Sequence, residues 1–340
     1  MNPIIQIEHL AVGYGNGLHT KEIVRNLNVS VFQGETIGII GQNGIGKSTL
    51  LRTLTRLQHP LAGSVKIDGK NIETYSRIEF ARIVSFVSTE SIRLSHCTVK
   101  QLVAFGRYPY TNWVGKLTSN DEAAVSEAIA MVGLTSLAGR FINEISDGER
   151  QRVMIARTLA QDTNIIVLDE PTAFLDMPNK FEVVHLLSEL ARKKNKTIIF
   201  SSNDLNIAMK EADRLWLMMP DSFIDGAPED LVLQHSISKV FQQSRLKFDP
   251  RRGDFSITRK PVGVCKLTGK GNVLLWTKKA LERLGFETEN EQGEHTVEIQ
   301  FQEKENEITW QLIHQQNTYT FHSIYELASY LKLEFGKSLT

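Results

Sequence analysis

Residues 41–49 restrict the possible folds of this chain more than any other part of the sequence. They read G-Q-N-G-I-G-K-S-T and fit the pattern G-x-x-x-x-G-K-[ST], in which glycines let the backbone wrap closely around a phosphate chain. An apolar, β-branched run at 36–40 precedes the loop, and helical spacing follows from Lys47 to about Leu57. Because backbone amides at a helix start attract anions, this order of strand, loop and helix predicts a phosphate-binding loop.

Two side chains of the loop have distinct predicted roles. Lys47 is long enough to reach the β- and γ-phosphates of a nucleotide, and the Ser48 hydroxyl is a suitable magnesium ligand. A chance match is the alternative, since average residue frequencies would produce the pattern in roughly 1% of chains of this length. The strand before it and the helix after it favour the functional interpretation. The residues expected to bind the nucleotide are Gly41, Gln42, Asn43, Gly44, Ile45, Gly46, Lys47, Ser48 and Thr49.

A second half of the same site is predicted at the end of an apolar strand. Ile165–Leu168 is apolar throughout, as in a strand buried on both faces, and two carboxylates, Asp169 and Glu170, follow it. The first can hold the magnesium shell, and the second can polarise a water for in-line attack. Alone, an acidic pair before Pro171 would more commonly cap a helix. The phosphate loop earlier in the chain reverses that preference.

Strand and helix patterns alternate to about residue 245 and predict an α/β fold with a mainly parallel sheet flanked by helices. The basic stretch 246–260 has weak periodicity and is interpreted as a linker. Residues 261–340 show alternating strand patterns and two helical patterns, which predict a small α+β unit. The predicted organisation is therefore a first domain over 1–245, a linker and an accessory domain.

The overall composition excludes several classes of protein. The 39 basic and 39 acidic residues balance, so no nucleic acid is expected as a principal partner. Two cysteines, Cys97 and Cys265, cannot form a disulfide framework, and their number fits a reducing compartment. No apolar run is longer than five residues, and a membrane-spanning helix needs about 20, so no membrane span is expected.

A third motif lies between the phosphate loop and the carboxylate strand. Residues 145–151 read I-S-D-G-E-R-Q and precede an apolar helical pattern. Together the three motifs resemble those of the ATP-binding cassette (ABC) family, whose signature loop usually reads Leu-Ser-Gly-Gly-Gln. Asp147 and Glu149 depart from that wording. Alone, S-x-G-E before an apolar helix would usually indicate only a capped helix.

The resemblance covers residues 4 to about 245 and implies a P-loop NTPase of the ABC type, with an antiparallel β subdomain and a helical signature subdomain. It implies that ATP is hydrolysed, with Mg²⁺, between two head-to-tail cassettes in a homodimer or a heterodimer. Lys47 would then act in catalysis, and Glu170 would be the catalytic base or water positioner. Tyr14 would stack on the adenine, and Asp176 would communicate across the dimer interface. The residues of the signature loop implied to contact the nucleotide are Ser146, Gly148 and Glu149.

Two departures from the family pattern affect the predicted chemistry. Where the family has a glutamine near magnesium and the attacking water, this chain has Thr89, expected to act in catalysis, with Glu90 beside it as a further metal ligand. Where the family has a histidine that contacts the γ-phosphate, this chain has Asn203, expected to act in catalysis. Its amide can donate to phosphate but cannot carry an imidazolium charge, which predicts slow or pH-insensitive turnover. Asn203 is also a candidate cap for the helix that starts near Asp204.

The region between the phosphate loop and the signature loop indicates the kind of cassette. Residues 106–109 read Gly-Arg-Tyr-Pro before a Leu-Thr-x-x-Asp helix start, which resembles cassettes of importers for ferric siderophores, haem and cobalamin. The alternative is a helix that stops at Gly106, with Pro109 in the turn. The resemblance implies an ATPase subunit that energises uptake of a metal chelate, foremost a ferric siderophore. The implied partners are transmembrane permease subunits, a second cassette and, indirectly, a periplasmic substrate-binding protein, at the cytoplasmic face of the inner membrane.

Two other functions stay open at this point. A cassette with weak or no hydrolysis would act as an ATP-gated regulatory or binding module, an option raised by Thr89 and Asn203. Cassettes of DNA repair or translation generally have two fused cassettes, a coiled coil or basic arms, and the sequence shows none of these. For 261–340 the hypothesis is a regulatory or dimer-supporting role.

Overall fold

The chain forms two compact units, Met1–Ser256 and Ile257–Thr340. The strands of the first unit are β1 (Ile5–Tyr14), β2 (Lys21–Val31), β3 (Thr36–Gly41), β4 (Ala62–Ile67), β5 (Lys70–Asn71), β6 (Val84–Val87), β7 (Ile165–Leu168), β8 (Thr197–Ser202), β9 (Arg214–Met219), β10 (Ser222–Gly226), β11 (Leu246–Asp249) and β12 (Asp254–Ile257), which ends at the division. A computed structural model provides these coordinates and describes residues 2–15, 21–88, 96–112, 115–173, 175–220, 222–241, 246–250, 253–257, 261–289, 296–304 and 307–335.

A six-stranded sheet, in the order β10-β9-β3-β8-β7-β6, organises the first unit. The five strands from β9 to β6 run parallel, and β10 pairs antiparallel with β9. Strands such as Ile165–Leu168 are buried along their whole length, because separate hydrophobic clusters lie on the two faces of the sheet. The strand bounds predicted there from the apolar run are confirmed.

A second, antiparallel sheet has the order β2-β1-β4-β5. Its inner side chains join the hydrophobic cluster that also contains Leu50 and Leu51 of the helix after the phosphate loop. The helices of the first unit are α1 (Lys47–Leu54), α2 (Arg77–Ala81), α3 (Val99–Ala104), α4 (Ser119–Met131), α5 (Asp147–Ala160), α6 (Met177–Lys194), α7 (Leu205–Glu211), α8 (Pro228–Leu233) and α9 (Ser236–Val240).

Helices α3, α4 and α5 pack on one another and form the helical part of the first unit. Capping boxes start all three of these helices: Thr98 with Gln101, Thr118 with Asp121, and Ser146 with Glu149. Arg107 and Asp121 form a buried ion pair with a separation of 2.8 Å between the guanidinium Nε and the carboxylate. Hydrogen bonds from Thr118 and Arg107 lower the pKa of Asp121 to about 2.

The stretch 246–260, expected to be a linker, contains the hairpin of β11 and β12. Phe248 is buried in the main cluster of the first unit, and its ring lies 5.3 Å from the ring of Phe255. Phe255 in turn contacts Phe241, just after α9, with 4.8 Å between ring centroids. This aromatic group therefore extends the first unit to Ser256.

The second unit is a five-stranded sheet in the order β14-β13-β15-β16-β17 with two helices. Its strands and helices are β13 (Gly263–Thr268), α10 (Gly271–Leu284), β14 (Phe286–Glu289), β15 (Val297–Lys304), β16 (Glu307–His314), β17 (Asn317–Phe321) and α11 (Ile324–Phe335). β13 is parallel to β14 and β15, whereas β16 is antiparallel to β15 and β17. Its own hydrophobic cluster includes Cys265, Ile299 and Leu312. In the ranges that the structure describes, no helix combines the length and apolarity needed to span a bilayer.

Candidate functional site

The phosphate loop, the carboxylate pair and Asn203 meet at one edge of the central sheet. The phosphate loop follows β3, Asp169 and Glu170 follow β7, and Asn203 follows β8. These three strands are adjacent and parallel, so their carboxyl ends lie side by side. Distant parts of the sequence thereby contribute to one site.

Lys47 is buried at the centre of this site. Its Nζ donates to the carbonyl of Gly41 at 2.9 Å and to the Asn203 side-chain oxygen at 2.7 Å. Burial lowers the pKa of Lys47 below its usual 10.5, and the charges of Glu170 and Asp169 act in the opposite direction. The ammonium group is thus held among oxygen acceptors, in a position that suits phosphate oxygens equally well.

The backbone of the loop explains why glycine is required at position 46. Gly46 has φ +106°, in the left-handed region, and a Cβ there would lie 2.3 Å from Cγ2 of Ile23. Gly44 also has a positive φ, but a Cβ there would meet nothing within 4 Å. The loop is therefore tight on the side of β2 and open at Gly44.

Asn203 joins the two halves of the site. Its side-chain oxygen accepts from Lys47, and its amide nitrogen donates to Glu170 Oε1 at 2.8 Å. The cap of α7 is provided by Asp204, whose carboxylate accepts from the backbone N–H of Ile207 at 3.3 Å. The Asn203 side chain is therefore directed to the charged groups of the site rather than to the helix that follows.

Ser201 is a member of the site that sequence reasoning did not identify. Its hydroxyl donates to Asp169 Oδ1 at 2.8 Å and accepts from the backbone N–H of Glu170, also at 2.8 Å. Ser201 and Asp169 are both buried. The available signal was a serine pair, Ser201 and Ser202, that ends an otherwise apolar strand.

The signature segment lies at the start of α5. Ser146 caps this helix, accepts from the Glu149 N–H at 3.2 Å and donates from its own hydroxyl to the Glu149 carboxylate at 2.9 Å. Hydrogen bonds from the Ser146 backbone and hydroxyl lower the pKa of Glu149, so that its carboxylate is charged at neutral pH. Ser146 is exposed and Gly148 half-buried, and a Cβ on Gly148 would meet Leu175 at an ordinary 3.5 Å.

The other predicted contacts have varied surroundings. Asp176 caps α6 by accepting from the backbone N–H of Asn179 at 3.2 Å. Tyr14 is 53% exposed at the end of β1, and the ammonium of Lys21 lies 5.9 Å from its ring centroid.

In the phosphate loop, Gln42 donates from Nε2 to the Val240 carbonyl at 3.2 Å. The remaining loop residues are exposed (Asn43, Gly44) or half-buried (Ile45, Ser48, Thr49). Thr89 and Glu90 lie outside the described residues.

The chemistry of these donors fits ATP with Mg²⁺. Mg²⁺ prefers oxygen ligands and usually binds through one or two carboxylates together with substrate phosphates. Asp169 offers a buried carboxylate, and Ser48 offers a hydroxyl in the first turn of α1. In the described parts of the chain, no group of three or more His, Cys, Asp or Glu side chains can hold a metal ion. Together with the phosphate oxygens of a nucleotide, the Asp169 carboxylate and the Ser48 hydroxyl fit Mg²⁺.

Comparisons with known proteins identify the family of the chain. Residues 24–173 match the ABC transporter family, and residues 263–332 match the iron ABC transporter C-terminal domain. The achromobactin transport ATP-binding protein of Dickeya dadantii is 40% identical over 248 residues, which are 72% of this chain and 91% of that protein. The chain belongs to the ABC transporter family.

Two further proteins illustrate the relationship. The ferric enterobactin transport ATP-binding protein of Escherichia coli is 39% identical over 235 residues, 69% of this chain and 85% of that protein. A solved ABC transporter of the metal-chelate type, in an inward-facing conformation, superposes with a TM-score of 0.62 and 28% identity, covering 71% of this chain and 90% of that chain. The predicted ABC fold is confirmed, and the chain is an ATP-binding subunit, an ATPase, of an ABC transporter.

Proposed function

We propose that this ABC subunit hydrolyses ATP to energise the uptake of a metal chelate, foremost a ferric siderophore, with haem and cobalamin as alternatives. The observation that carries the hydrolytic part is the convergence of Lys47, Asp169, Glu170 and Asn203 on one edge of the sheet. The cargo class rests on relatives named for achromobactin and ferric enterobactin transport, and on the iron-transporter domain at 263–332.

The roles of the residues follow from their chemistry. Lys47 and the amides of the loop bind the phosphates, and Ser48 and Asp169 would hold Mg²⁺, which neutralises charge on the phosphate oxygens. Glu170 accepts a hydrogen bond from the attacking water and orients it. Asn203 holds Glu170 through one side of its amide and Lys47 through the other.

A complete site in this proposal needs a second cassette. At the start of α5, Ser146 is exposed and Gly148 is half-buried, and the backbone amides of a helix N-terminus attract anions. Each nucleotide would lie between the loop of one cassette and this segment of the other, with Asp176 at the interface and Tyr14 against the adenine. Permease subunits at the cytoplasmic face of the inner membrane would receive the motion, and a periplasmic binding protein would deliver the cargo.

Phosphate release by the purified chain tests the hydrolytic part. We expect release that depends on magnesium and is abolished by Glu170→Gln, which keeps the shape of the side chain and removes its charge. Glu189→Gln, at an exposed carboxylate paired with Lys193, is the matched control and should leave the rate unchanged. Release that survives Glu170→Gln would remove the assigned role of Glu170.

Uptake measurements test the cargo. Cells that lack the gene should regain uptake of a radiolabelled ferric siderophore when they express the chain, but not when they express the Glu170→Gln variant. Restored uptake of haem or cobalamin without any effect on siderophores would replace the cargo and leave the ATPase assignment in place.

The role of 261–340 is a separate proposal. This compact unit with its own core is proposed to regulate the ATPase or to support dimer formation. Removing the residues after Ser256 keeps the aromatic group of the hairpin, so transport, ATPase rate and dimer formation of the shortened chain can be compared with those of the full chain. No change in any of the three would contradict the proposal.

A further inference from the structure

We propose that Ser201 is a positioning residue of the hydrolytic reaction, whose hydroxyl fixes the metal-binding carboxylate and the catalytic glutamate in one geometry. The inference rests on the proposed roles of Asp169 and Glu170. It adds a residue that lies outside the phosphate loop, the signature segment and the carboxylate pair.

The strand register places Ser201 beside the carboxylate pair. β7 and β8 run parallel with Leu168 opposite Phe200, so the next residues in register are Asp169 and Ser201. On its other side, Ser201 is opposite Ile39 of β3, two residues before the phosphate loop begins. Ser201 is therefore the residue of β8 that lies between the two halves of the site.

A single hydroxyl makes both contacts. Its hydrogen is donated to Asp169 Oδ1 at 2.8 Å, and a lone pair accepts the N–H of Glu170 at 2.8 Å. Ser201 is fully buried, so water cannot replace either contact without entering the sheet. A carboxylate that holds a metal depends on such an outer partner for its orientation, and loss of the partner typically weakens metal binding or activity.

The hydrogen bond from the Glu170 N–H to Ser201 is important because of the backbone conformation of Glu170. Glu170 has φ +48°, a left-handed conformation that is costly for a residue with a side chain and persists only when its surroundings impose it. The N–H of Glu170 donates to Ser201, and the carbonyl of Glu170 accepts from the Ala173 N–H at 3.0 Å. These two contacts hold the turn that directs the Glu170 side chain towards Asn203.

The chain offers a conservative variant and a matched control. Ser201→Thr keeps the hydroxyl, and Thr suits a strand, whereas Ser201→Ala removes both contacts. Ser85 on β6 is an equally buried serine of the same sheet, and its hydroxyl bonds to Thr163 at 2.8 Å, away from the charged groups. Ser85→Ala thus measures the effect of losing a buried hydroxyl in this sheet.

The test measures phosphate release by the purified full-length chain against the concentrations of magnesium and ATP. We expect Ser201→Ala to lower kcat about tenfold and to raise the half-saturating magnesium concentration about tenfold, as loss of an outer partner does. The KM for ATP should stay within about twofold, because the phosphate loop is intact. Ser201→Thr should recover most of the loss in kcat and in magnesium dependence. Ser85→Ala should change neither quantity, even if it lowers the melting temperature as much as Ser201→Ala does.

Each contrary result has a distinct meaning. A Ser201→Ala chain with wild-type kcat and magnesium dependence overturns the proposal and leaves the proposed function intact. The proposal also fails if Ser85→Ala shifts the magnesium dependence to the same extent. Turnover that survives Glu170→Gln would instead overturn the roles assigned to the carboxylates, and the role of Ser201 with them.

Discussion

Asn203 donates a hydrogen bond from Nδ2 to Glu170 Oε1 across 2.8 Å, and the other atom of the same amide accepts from Lys47 at 2.7 Å. One neutral side chain therefore links the lysine of the phosphate loop to the carboxylate that we propose as catalytic. An imidazole can make the same two contacts only when it is neutral, because imidazolium is a donor on both nitrogens. An amide does not titrate in this range, so its donor and its acceptor do not change with pH.

Replacing Asn203 should show how much this side chain contributes to turnover, and how its neutral amide affects the pH dependence of the rate. We expect Asn203→Ala to lower kcat about tenfold or more, since a hydrogen bond to a charged group contributes about 1.5–3 kcal/mol.

The wild-type rate should lack a titration step near pH 6.5. Asn203→His should introduce one, with turnover falling as pH drops below about 6.5. The fall has this direction because an imidazolium cannot accept from Lys47. Rate–pH profiles of the three chains measure this, and unchanged turnover in Asn203→Ala would exclude the predicted phosphate contact.

Lys47 should take up a proton when ATP binds at alkaline pH. Burial lowers its pKa in the nucleotide-free chain below 10.5, and phosphate oxygens beside the ammonium would raise it again. At a pH between the pKa of Lys47 in the free chain and its pKa in the ATP complex, the free chain has lost the Lys47 proton and the complex keeps it. The affinity for ATP should therefore fall as pH rises through this window. Calorimetry of ATP binding in two buffers with different ionisation enthalpies measures the proton uptake. Proton release, or no exchange anywhere below 10.5, would contradict the prediction.

The sequence was sufficient to predict two kinds of feature of the site: short motifs, and the meeting of the carboxyl ends of parallel strands. The pattern around Lys47 is typical of a loop between a strand and a helix, and the short apolar run Ile165–Leu168 is typical of a strand buried on both faces. Parallel strands place their carboxyl ends at one edge, which brings Asp169 and Glu170 to the phosphate loop. These inferences need no knowledge of individual contacts.

Other features depend on contacts between distant residues and left little trace in the sequence. Ser201 is an ordinary strand residue until the register of β7 and β8 places it beside Asp169. Phe248 and Phe255 lie in a basic stretch with weak periodicity, and their packing with Phe241 joins the hairpin to the first unit. The division that the contacts show, between Ser256 and Ile257, lies within the stretch 246–260 interpreted from the sequence as a linker.

Glu149 should weaken the affinity of the signature segment for phosphate. Its charged carboxylate occupies the positive end of α5 and engages the Ser146 hydroxyl, so it competes with any anion for the same groups. Glu149→Gln keeps an acceptor for the capping box and removes the charge. We expect ATP-driven dimer formation about two- to fivefold tighter, which corresponds to the interaction of one charge with a helix end. Analytical ultracentrifugation with ATP in the hydrolysis-deficient Glu170→Gln background measures it.

A matched control exists for this substitution. Ser76 and Glu79 form the same capping box at the start of α2, with 2.7 Å between the Ser76 N–H and the Glu79 carboxylate. Glu79→Gln should therefore change helix stability as Glu149→Gln does, but should leave dimer formation unchanged. Equal effects of the two substitutions would show that general charge, rather than the signature segment, controls association.

The aromatic group after α9 should contribute substantially to the stability of the first unit. Phe248 is 4% exposed, and its replacement by alanine leaves a cavity beside Phe255, which typically costs about 3–5 kcal/mol. Phe105→Ala, at a side chain that is 58% exposed, is the control and should change stability by no more than about 0.5 kcal/mol. Urea unfolding with and without ATP identifies the transition of the first unit, because only that transition shifts with the nucleotide. If Phe248→Ala unfolds at the wild-type urea concentration, the hairpin of β11 and β12 does not stabilise the first unit, and the interpretation of 246–260 as a linker is favoured.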